Sequence, residues 1–399
     1  MSGKGSVVLV GASPFGCRAL ARLGLDLVLV CDPAEDVAAA AAHPVRVHRV
    51  PYRTDPRTLL DLPRPEDVRA VMSFTELGLL PAARLAAQWA TGGVPVAAAL
   101  LSRNKVLMRQ ALAQAGRPVA AGPLRQVKDV GRRHYPVVVK PISGVAGVGV
   151  RLALAPHDVE AALATATEPM MWEAYLAGRE LSVETVTVEG RHLVLGITEK
   201  LTSGPPHFVE RGHLVPAALP PKAADEVVSC VTACLDGIGL TVGPAHTEVL
   251  LGPTGAAVVE THTRPGGGRI PLVTELVTGL DQYELAWRAV CGLPLPAPAP
   301  PSGAAGVRFL TGAPGVLTAV AGVERARALD GVVEVALEVS PGDVLHGWRD
   351  NLDRPGFVVC RGRDRDEVDR RLDQAAGAVV FETRVEDSRT AAEYESTHP

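Results

Sequence analysis

The sequence predicts an α/β protein of several domains, and three observations carry that prediction. Its 399 residues exceed the roughly 100 to 200 that one domain usually takes. Hydrophobic residues make up 47% of the chain and charged ones 21%, the mix of a globular protein, which excludes wholesale disorder and a collagen-like fibre. Over the first hundred residues, short apolar runs ended by glycine or aspartate alternate with helix-like stretches, the pattern of parallel strand–helix–strand units.

The elements justify this in order. Val7 to Val10 is an apolar run closed by Gly11, a helix is expected around Cys17 to Leu23, and Leu27 to Cys31 is a second run closed by Asp32. Val71 to Phe74 and Val94 to Val96 read as further strands, with the Ala-rich Leu79 to Thr91 as a helix between them. From Asn104 to about Gly292 the rhythm changes to helices mixed with hairpins, and Leu293 to Ser302 is a proline–alanine linker. Short strands are expected at Val332 to Val339, Gly356 to Cys360 and Ala378 to Glu382, with a charged helix around Asp364 to Ala376 and a frayed polar end. The domains so defined are 1–103, 104–292 and 303–399.

Forty basic against 44 acidic residues give a net charge of −4, which carries no footprint for nucleic acid or an anionic membrane. No run of about 18 apolar residues occurs, and Met1 to Gly5 leads into a strand-like run rather than a signal peptide, so a cytoplasmic protein is expected. Six cysteines lie scattered in apolar contexts without a C-x-x-C pair, which reads as buried thiols. Only six of the 40 basic residues are lysine: Lys4, Lys105, Lys128, Lys140, Lys200 and Lys222. A chain that otherwise uses arginine keeps lysine where a compact ammonium matters.

Two glycine turns invite a nucleotide. The first, Gly11 to Gly16 with Asp32 beyond it, departs from G-x-G-x-x-G because Ser13 replaces the middle glycine, which weakens a reading as an NAD or FAD site. The second follows a strand ending in Lys140: Ser143, Gly144, Gly147 and Gly149 lie in a segment that returns directly into another strand. Joining two strands and lacking G-K-[ST], it is a flap rather than a Walker loop. Its amides can converge on phosphate oxygens beside the Lys140 ammonium. Downstream, an apolar edge flanked by Glu173 and Glu180 suits a nucleoside, with carboxylates accepting from an amino group and from ribose hydroxyls.

The segment His246 to His262 predicts a hairpin. With Pro253 and Thr254 in a type I turn and Gly255 at a left-handed bulge position, the loop has three residues and Gly252 faces Ala256. Glu248 then lies opposite Glu260, and His246 opposite His262, on one face. Opposed like charges are destabilising. Both carboxylates tipping into solvent, or one holding a proton, are alternatives, but beside a phosphate loop a divalent cation is the more economical neutraliser. Arg264, in the glycine turn Thr263 to Arg269, can fork onto a phosphoryl group or a developing oxyanion.

Taken in order, Asn104-Lys105, the Lys140 strand with its flap, Glu173-Ala174-Tyr175-Leu176-x-Gly178-x-Glu180, Glu248 and Glu260-x-His262-x-Arg264-Pro265-Gly266-Gly267 resemble the ATP-grasp superfamily, and within it the carboxylate–amine ligases that include the L-amino-acid (dipeptide) ligases. The resemblance implies an ATP-grasp fold with an N-terminal Rossmann-like pre-ATP-grasp domain and a C-terminal α+β region that completes the active site. It implies that Lys105 and Lys140 hold ATP phosphates, with Ser143, Gly144 and Gly147 in the flap. Glu173, Tyr175 and Leu176 would receive adenine, and Glu180 the ribose. Glu248 and Glu260, with His262, would bind Mg2+, with Mn2+ as an alternative ion, and His262 stands where family members usually carry asparagine. Arg264 and Lys140 would be catalytic, and Arg264 would steady an acyl phosphate and a tetrahedral intermediate. Glu76, Glu210, His213 and Gly267 would meet the substrates, Glu210 through an α-ammonium group and His213 near the acyl acceptor, in the first case and the last by their place in the matching motifs. His207 belongs to the same substrate loop.

The implied activity is an ATP-dependent ligase that forms an amide from an amino acid or small natural-product acid and an amine, releasing ADP and phosphate. The implied partners are small molecules rather than nucleic acid or membrane, with a homodimer left open. A biotin-carboxylase-like or purine-pathway enzyme activating another small acid, and a nucleotide-binding protein without chemistry, are the rival readings.

Overall fold

The computed structural model describes residues 5–37, 45–144, 146–205, 208–347 and 350–384. Val145 of the flap, His207 of the substrate loop and the polar end after residue 384 lie outside the described residues.

The first hundred residues fold as the apolar runs require. Strands Ser6–Val10, Asp26–Cys31 and Val68–Met72 pair in parallel, with Val45–Arg49 at one edge. The central run is apolar throughout because helices cover both faces: Val7, Val8, Leu9 and Val10 are all buried. The helix Pro14–Leu23 is capped by Ser13, whose side chain accepts from the Gly16 amide, and it ends at Gly24 in the left-handed region. Val94 to Val96 is not a strand. Only Gly92 bridges to Ala70, and Pro95 instead opens the helix Val96–Arg103. A proline has no N–H for a ladder, while its fixed φ suits a helix entrance.

The next part supplies two sheets. Ala121–Leu124, Met170–Ala174, Val137–Pro141 and Arg151–Ala153 form a four-stranded antiparallel sheet, with the flap joining the last two strands. The second is an eight-stranded sheet, in the order Gly255–His262, Gly243–Gly252, Arg179–Val188, Arg191–Thr202, Glu210–Val215, Ala304–Phe309, Gly356–Gly362, Val332–Leu337. Its last three strands come from beyond the proline–alanine segment, which has no regular structure. The C-terminal region is therefore not a separate layer: Leu214 pairs with Gly306, so one ladder runs through both segments. Strand Val380–Arg384 belongs to a smaller sheet with Gly315–Ala321 and Val344–Leu345.

The N-terminal sheet is locked to the rest by the helix Gln282–Val290. Trp287, fully buried, donates its indole N–H to the Gly16 carbonyl at 3.2 Å and stands edge-on to Phe74. All six cysteines are buried free thiols. Among the described residues, no helix is long and apolar enough to cross a membrane.

Candidate active site

The four-stranded and eight-stranded sheets and the helix Lys105–Gln114 all present charged side chains to one cleft. Asn104 caps that helix by accepting from the Leu107 amide at 3.1 Å. Lys105 and Arg109, four residues apart, then share one face, and both are buried. Lys105 Nζ donates to the Gly144 carbonyl of the flap at 2.9 Å and pairs with Glu260 at 3.0 Å. Lys140 Nζ lies 2.5 Å from Glu173, whose other oxygen takes Nε and Nη2 of Arg109 at 2.9 and 2.7 Å. Desolvation opposes the charge on Glu173, but Lys140 and Arg109 outweigh it and hold the carboxyl below its usual range. One carboxylate serves two buried cations, so burial and the neighbouring Arg109 pull Lys140 below the ordinary lysine value.

The hairpin brings Glu248 opposite Glu260 and His246 opposite His262, as its residue pattern predicts, but by a different route. Its loop has two residues, Pro253 and Thr254, between the paired Gly252 and Gly255, not three. Gly255 has φ +105°. The register is regained by an irregularity beside Glu248, where Val249 pairs with Val258 and Glu248 with Glu260, leaving Val259 as the extra residue.

Each carboxylate has its own counter-cation. Lys200 lies 2.7 Å from Glu248, 2.8 Å from Glu180 and 3.1 Å from Glu210. His246 Nε2 is 3.3 Å from Glu248, and its Nδ1 is 2.5 Å from Glu184. Burial disfavours ionised Glu248, but Lys200 and His246 overcome it and bring its pKa to about 2. Burial also opposes ionisation of Glu260, which Lys105 and His262 hold well below the usual carboxylate value. Glu210 is likewise held well down, by Lys200 with His213 and Arg354, while burial and the neighbouring Glu248 raise Glu180 despite Lys200.

His262 joins the first domain to the hairpin. Its Nδ1 faces Glu76 at 3.2 Å and its Nε2 faces Glu260 at 3.3 Å. Both ring nitrogens are committed to carboxylates, and those charges raise its pKa against the effect of burial. It bridges the two carboxylates. Glu76 also accepts from Arg103 and from Arg264 Nε, each at 2.5 Å, so it fixes the guanidinium expected to steady the reacting group. Burial acts against the Glu76 charge, and His262 and Arg264 override it.

A divalent cation fits the remaining donors. Glu248 and Glu260 are ionised hard oxygens facing each other, and each already accommodates an ammonium. No group of three or more His, Cys, Asp or Glu side chains is arranged to hold a metal among the described residues. An ion that takes one or two carboxylates and completes its shell with phosphate oxygens and water would be held by this pair.

The remaining expected residues are less engaged. Ser143 and Gly147 are exposed in the flap, and Tyr175 and Leu176 are half-buried in the turn after Met170–Ala174. His213 is fully buried, with Nδ1 3.0 Å from the Gly268 carbonyl and Nε2 3.5 Å from Glu210. Gly267 is exposed, and a Cβ there would meet nothing within 4 Å. At the first glycine turn, Glu35 accepts from the amides of Ala12 and Asp32 at 3.4 and 3.0 Å. A side chain of the protein thus fills the place where a dinucleotide phosphate would be read.

Two participants escape motif reading, Arg109 and Glu184, while Lys200 lies in the segment Thr198 to Lys200 that resembles the substrate-meeting loop of the amino-acid ligases. The rarity of lysine pointed to Lys200, since Lys105, Lys140 and Lys200 are all buried. Glu184 had the alternation Glu180, Ser182, Glu184 as its signal, which places three polar groups on one strand face. Arg109 had only its spacing from Lys105.

Two packed sheets enclosing a lysine- and carboxylate-lined cleft under a glycine flap define a nucleotide-dependent class, and comparison with known proteins agrees. Residues 133–271 match the family model of the ATP-grasp domain, so the chain contains an ATP-grasp domain. Residues 308–384 match L-amino acid ligase C-terminal domain 2, so the chain also carries the C-terminal module of the L-amino acid ligases. It is 30% identical to the protein y4rH of Sinorhizobium fredii over 69% of this chain and 60% of that one. It is 28% identical to carnosine synthase 1 of Gallus gallus over 83% of this chain and 39% of that one. The chain therefore spans less than two thirds of either relative. The crystal structure of an L-amino acid ligase from Bacillus licheniformis shares the fold, with a TM-score of 0.85 at 22% identity over 96% of this chain and all of that one.

Proposed function

We propose that this chain is an ATP-dependent ligase that joins a carboxylic acid to an amine through an acyl phosphate, releasing ADP and phosphate. The observation that carries the reading is the cleft itself: Lys105, Lys140 and Lys200 converge with ionised Glu248 and Glu260 beside Arg264. Such a constellation suits phosphoryl transfer, which needs positioning and charge neutralisation more than covalent chemistry from the protein. The match of residues 308–384 to an L-amino acid ligase module favours C–N bond formation over biotin-carboxylase-like chemistry.

In this reading Lys105 and Lys140 exchange their carboxylate partners for ATP phosphates, and the flap closes over them. The backbone around Glu173 to Leu176 receives adenine and Glu180 the ribose, while the Glu173 carboxylate keeps Arg109 in place. Glu248 and Glu260 hold Mg2+, or Mn2+ in its stead. The ion when bound neutralises charge at the transferred phosphoryl group. Glu76 orients Arg264, whose guanidinium steadies the acyl phosphate and the oxyanion formed when the amine attacks. Glu210, which already hosts the Lys200 ammonium at 3.1 Å, takes the substrate ammonium, with His213 beside it. The flap excludes water, which would otherwise hydrolyse the acyl phosphate.

The test is a phosphate-release screen of amino acids, singly and in pairs, with mass spectrometry of the products. Release should require both an acid and an amine, with a product of their combined mass less one water. If every pair leaves ATP intact, the ligase reading is wrong.

A further inference from the structure

We infer that one of the two substrates carries an aromatic group, held in a cavity behind the glycine turn. This rests on the ligase reading above. The cavity measures about 780 Å³, within the roughly 300 to 1,000 Å³ of small-molecule sites and far more than a methyl side chain fills. Its walls include Phe15, Arg269, Tyr283, Phe309, Arg354 and Phe357. They come from the N-terminal helix, the segment after the hairpin, the helix Gln282–Val290, and the C-terminal strands with the loop before Gly356.

The surface they present is built for flat groups. Phe15 stacks on Tyr283 with centroids 5.5 Å apart. The Arg269 guanidinium lies 5.3 Å from the Phe15 centroid and 4.5 Å from that of Phe357, and the Arg354 guanidinium lies 3.7 Å over Phe309. Both arginines already have carboxylate partners, Glu334 at 2.7 Å and Glu210 at 3.0 Å. Their charge is answered, so these two offer planar faces, and Arg18, also in the wall, lies 4.7 Å over the Phe15 ring. Rings and guanidinium planes favour an aromatic ligand by offset stacking and cation–π attraction.

The cavity adjoins the reacting groups. Gly266, Gly267 and Gly268 form part of its wall, and the other side of that turn packs on the cleft. A Cβ on Gly266 would come within 2.7 Å of His246, and one on Gly268 within 2.6 Å of His213. Arg354 touches both the cavity and Glu210. A substrate with its amine at Glu210 can therefore lay its substituent across the glycine turn into the cavity.

Titration calorimetry of the full chain with L-tryptophan, L-phenylalanine, L-leucine and L-alanine tests this without any chemistry. The aromatic amino acids should bind about tenfold more tightly than L-alanine, and the phosphate-release screen should rank them alike. Leu272 lines the cavity. Leu272→Trp should erase the aromatic preference and leave L-alanine unchanged, and Leu276→Phe serves if that variant does not fold. Equal or better binding of L-alanine, no binding of any of the four, or a folded filled variant that keeps the preference overturns the inference. Aromatic-selective binding without phosphate release from any pair would sink the ligase reading alone. Release from small pairs only would sink the cavity inference alone.

Discussion

Replacing Lys200 by methionine tests the electrostatics of the cleft directly. The side chain is 2% exposed and sits 2.7, 2.8 and 3.1 Å from three carboxylates. At an effective dielectric near 20 each attraction is about 6 kcal/mol, or about 17 kcal/mol together. Desolvation of the ammonium and mutual repulsion of Glu180, Glu210 and Glu248 offset most of it. The expected loss is that of breaking a buried ion pair, about 3 to 5 kcal/mol at pH 7. Its pH dependence is the sharper signature. In the native protein, Glu248 with a pKa of about 2 and Glu210 held well down contribute stability above about pH 4.5 that is lost as pH falls through their folded values. Without the ammonium all three carboxyls move upward, so the variant recovers relative stability on acidification. Urea unfolding followed by tryptophan fluorescence at pH 7.5 and 4.5 measures both effects. A variant within about 0.5 kcal/mol of the native protein at pH 7.5, or a penalty as large at pH 4.5, would refute the reasoning.

Three further substitutions probe the same cleft. His246 is raised to about 10 because Glu184 and Glu248 outweigh its burial, so its contribution is complete below pH 6.5 and fades as pH climbs toward 10. Glu184→Gln should flatten that decline in a pH series of urea midpoints, and an unchanged slope would show that the pair does not set it. Gly266→Ala would drive a Cβ to 2.7 Å from an imidazole pinned by two carboxylates. It should cost about 1 to 3 kcal/mol and slow phosphate release, whereas Gly267→Ala, with nothing within 4 Å, should fold as the native chain does. Equal midpoints for the two variants would contradict the packing described here.

Much of the site was readable from residue spacing because local rules govern it. The opposition of Glu248 and Glu260 follows from a hairpin centred on Pro253-Thr254, and the side chains share a face through strand alternation. Yet the pairing holds only because two departures cancel: a loop one residue shorter than expected and an extra residue, Val259, in the ladder. The strand expected at Val94 to Val96 failed because the apolar run is only three residues long and its proline favours a helix start. Motif logic assigned Glu173 and His262 outward roles toward ligands, and the structure turns both carboxylate and ring toward protein partners. Those partners, Arg109, Lys140 and Glu76, are 33 to 186 residues away in sequence, beyond any local pattern.

Composition, hydrophobic period and turn chemistry determined the α/β class, the parallel N-terminal sheet, the flap after Lys140 and the opposed glutamates, since each depends on neighbours within a few residues. Only the tertiary structure decided which cation answers which carboxylate, that strands beyond the linker extend the same sheet, and that side chains from distant segments line one cavity. Side-chain charge and packing act through space, and chain order does not encode distance once sheets fold over one another.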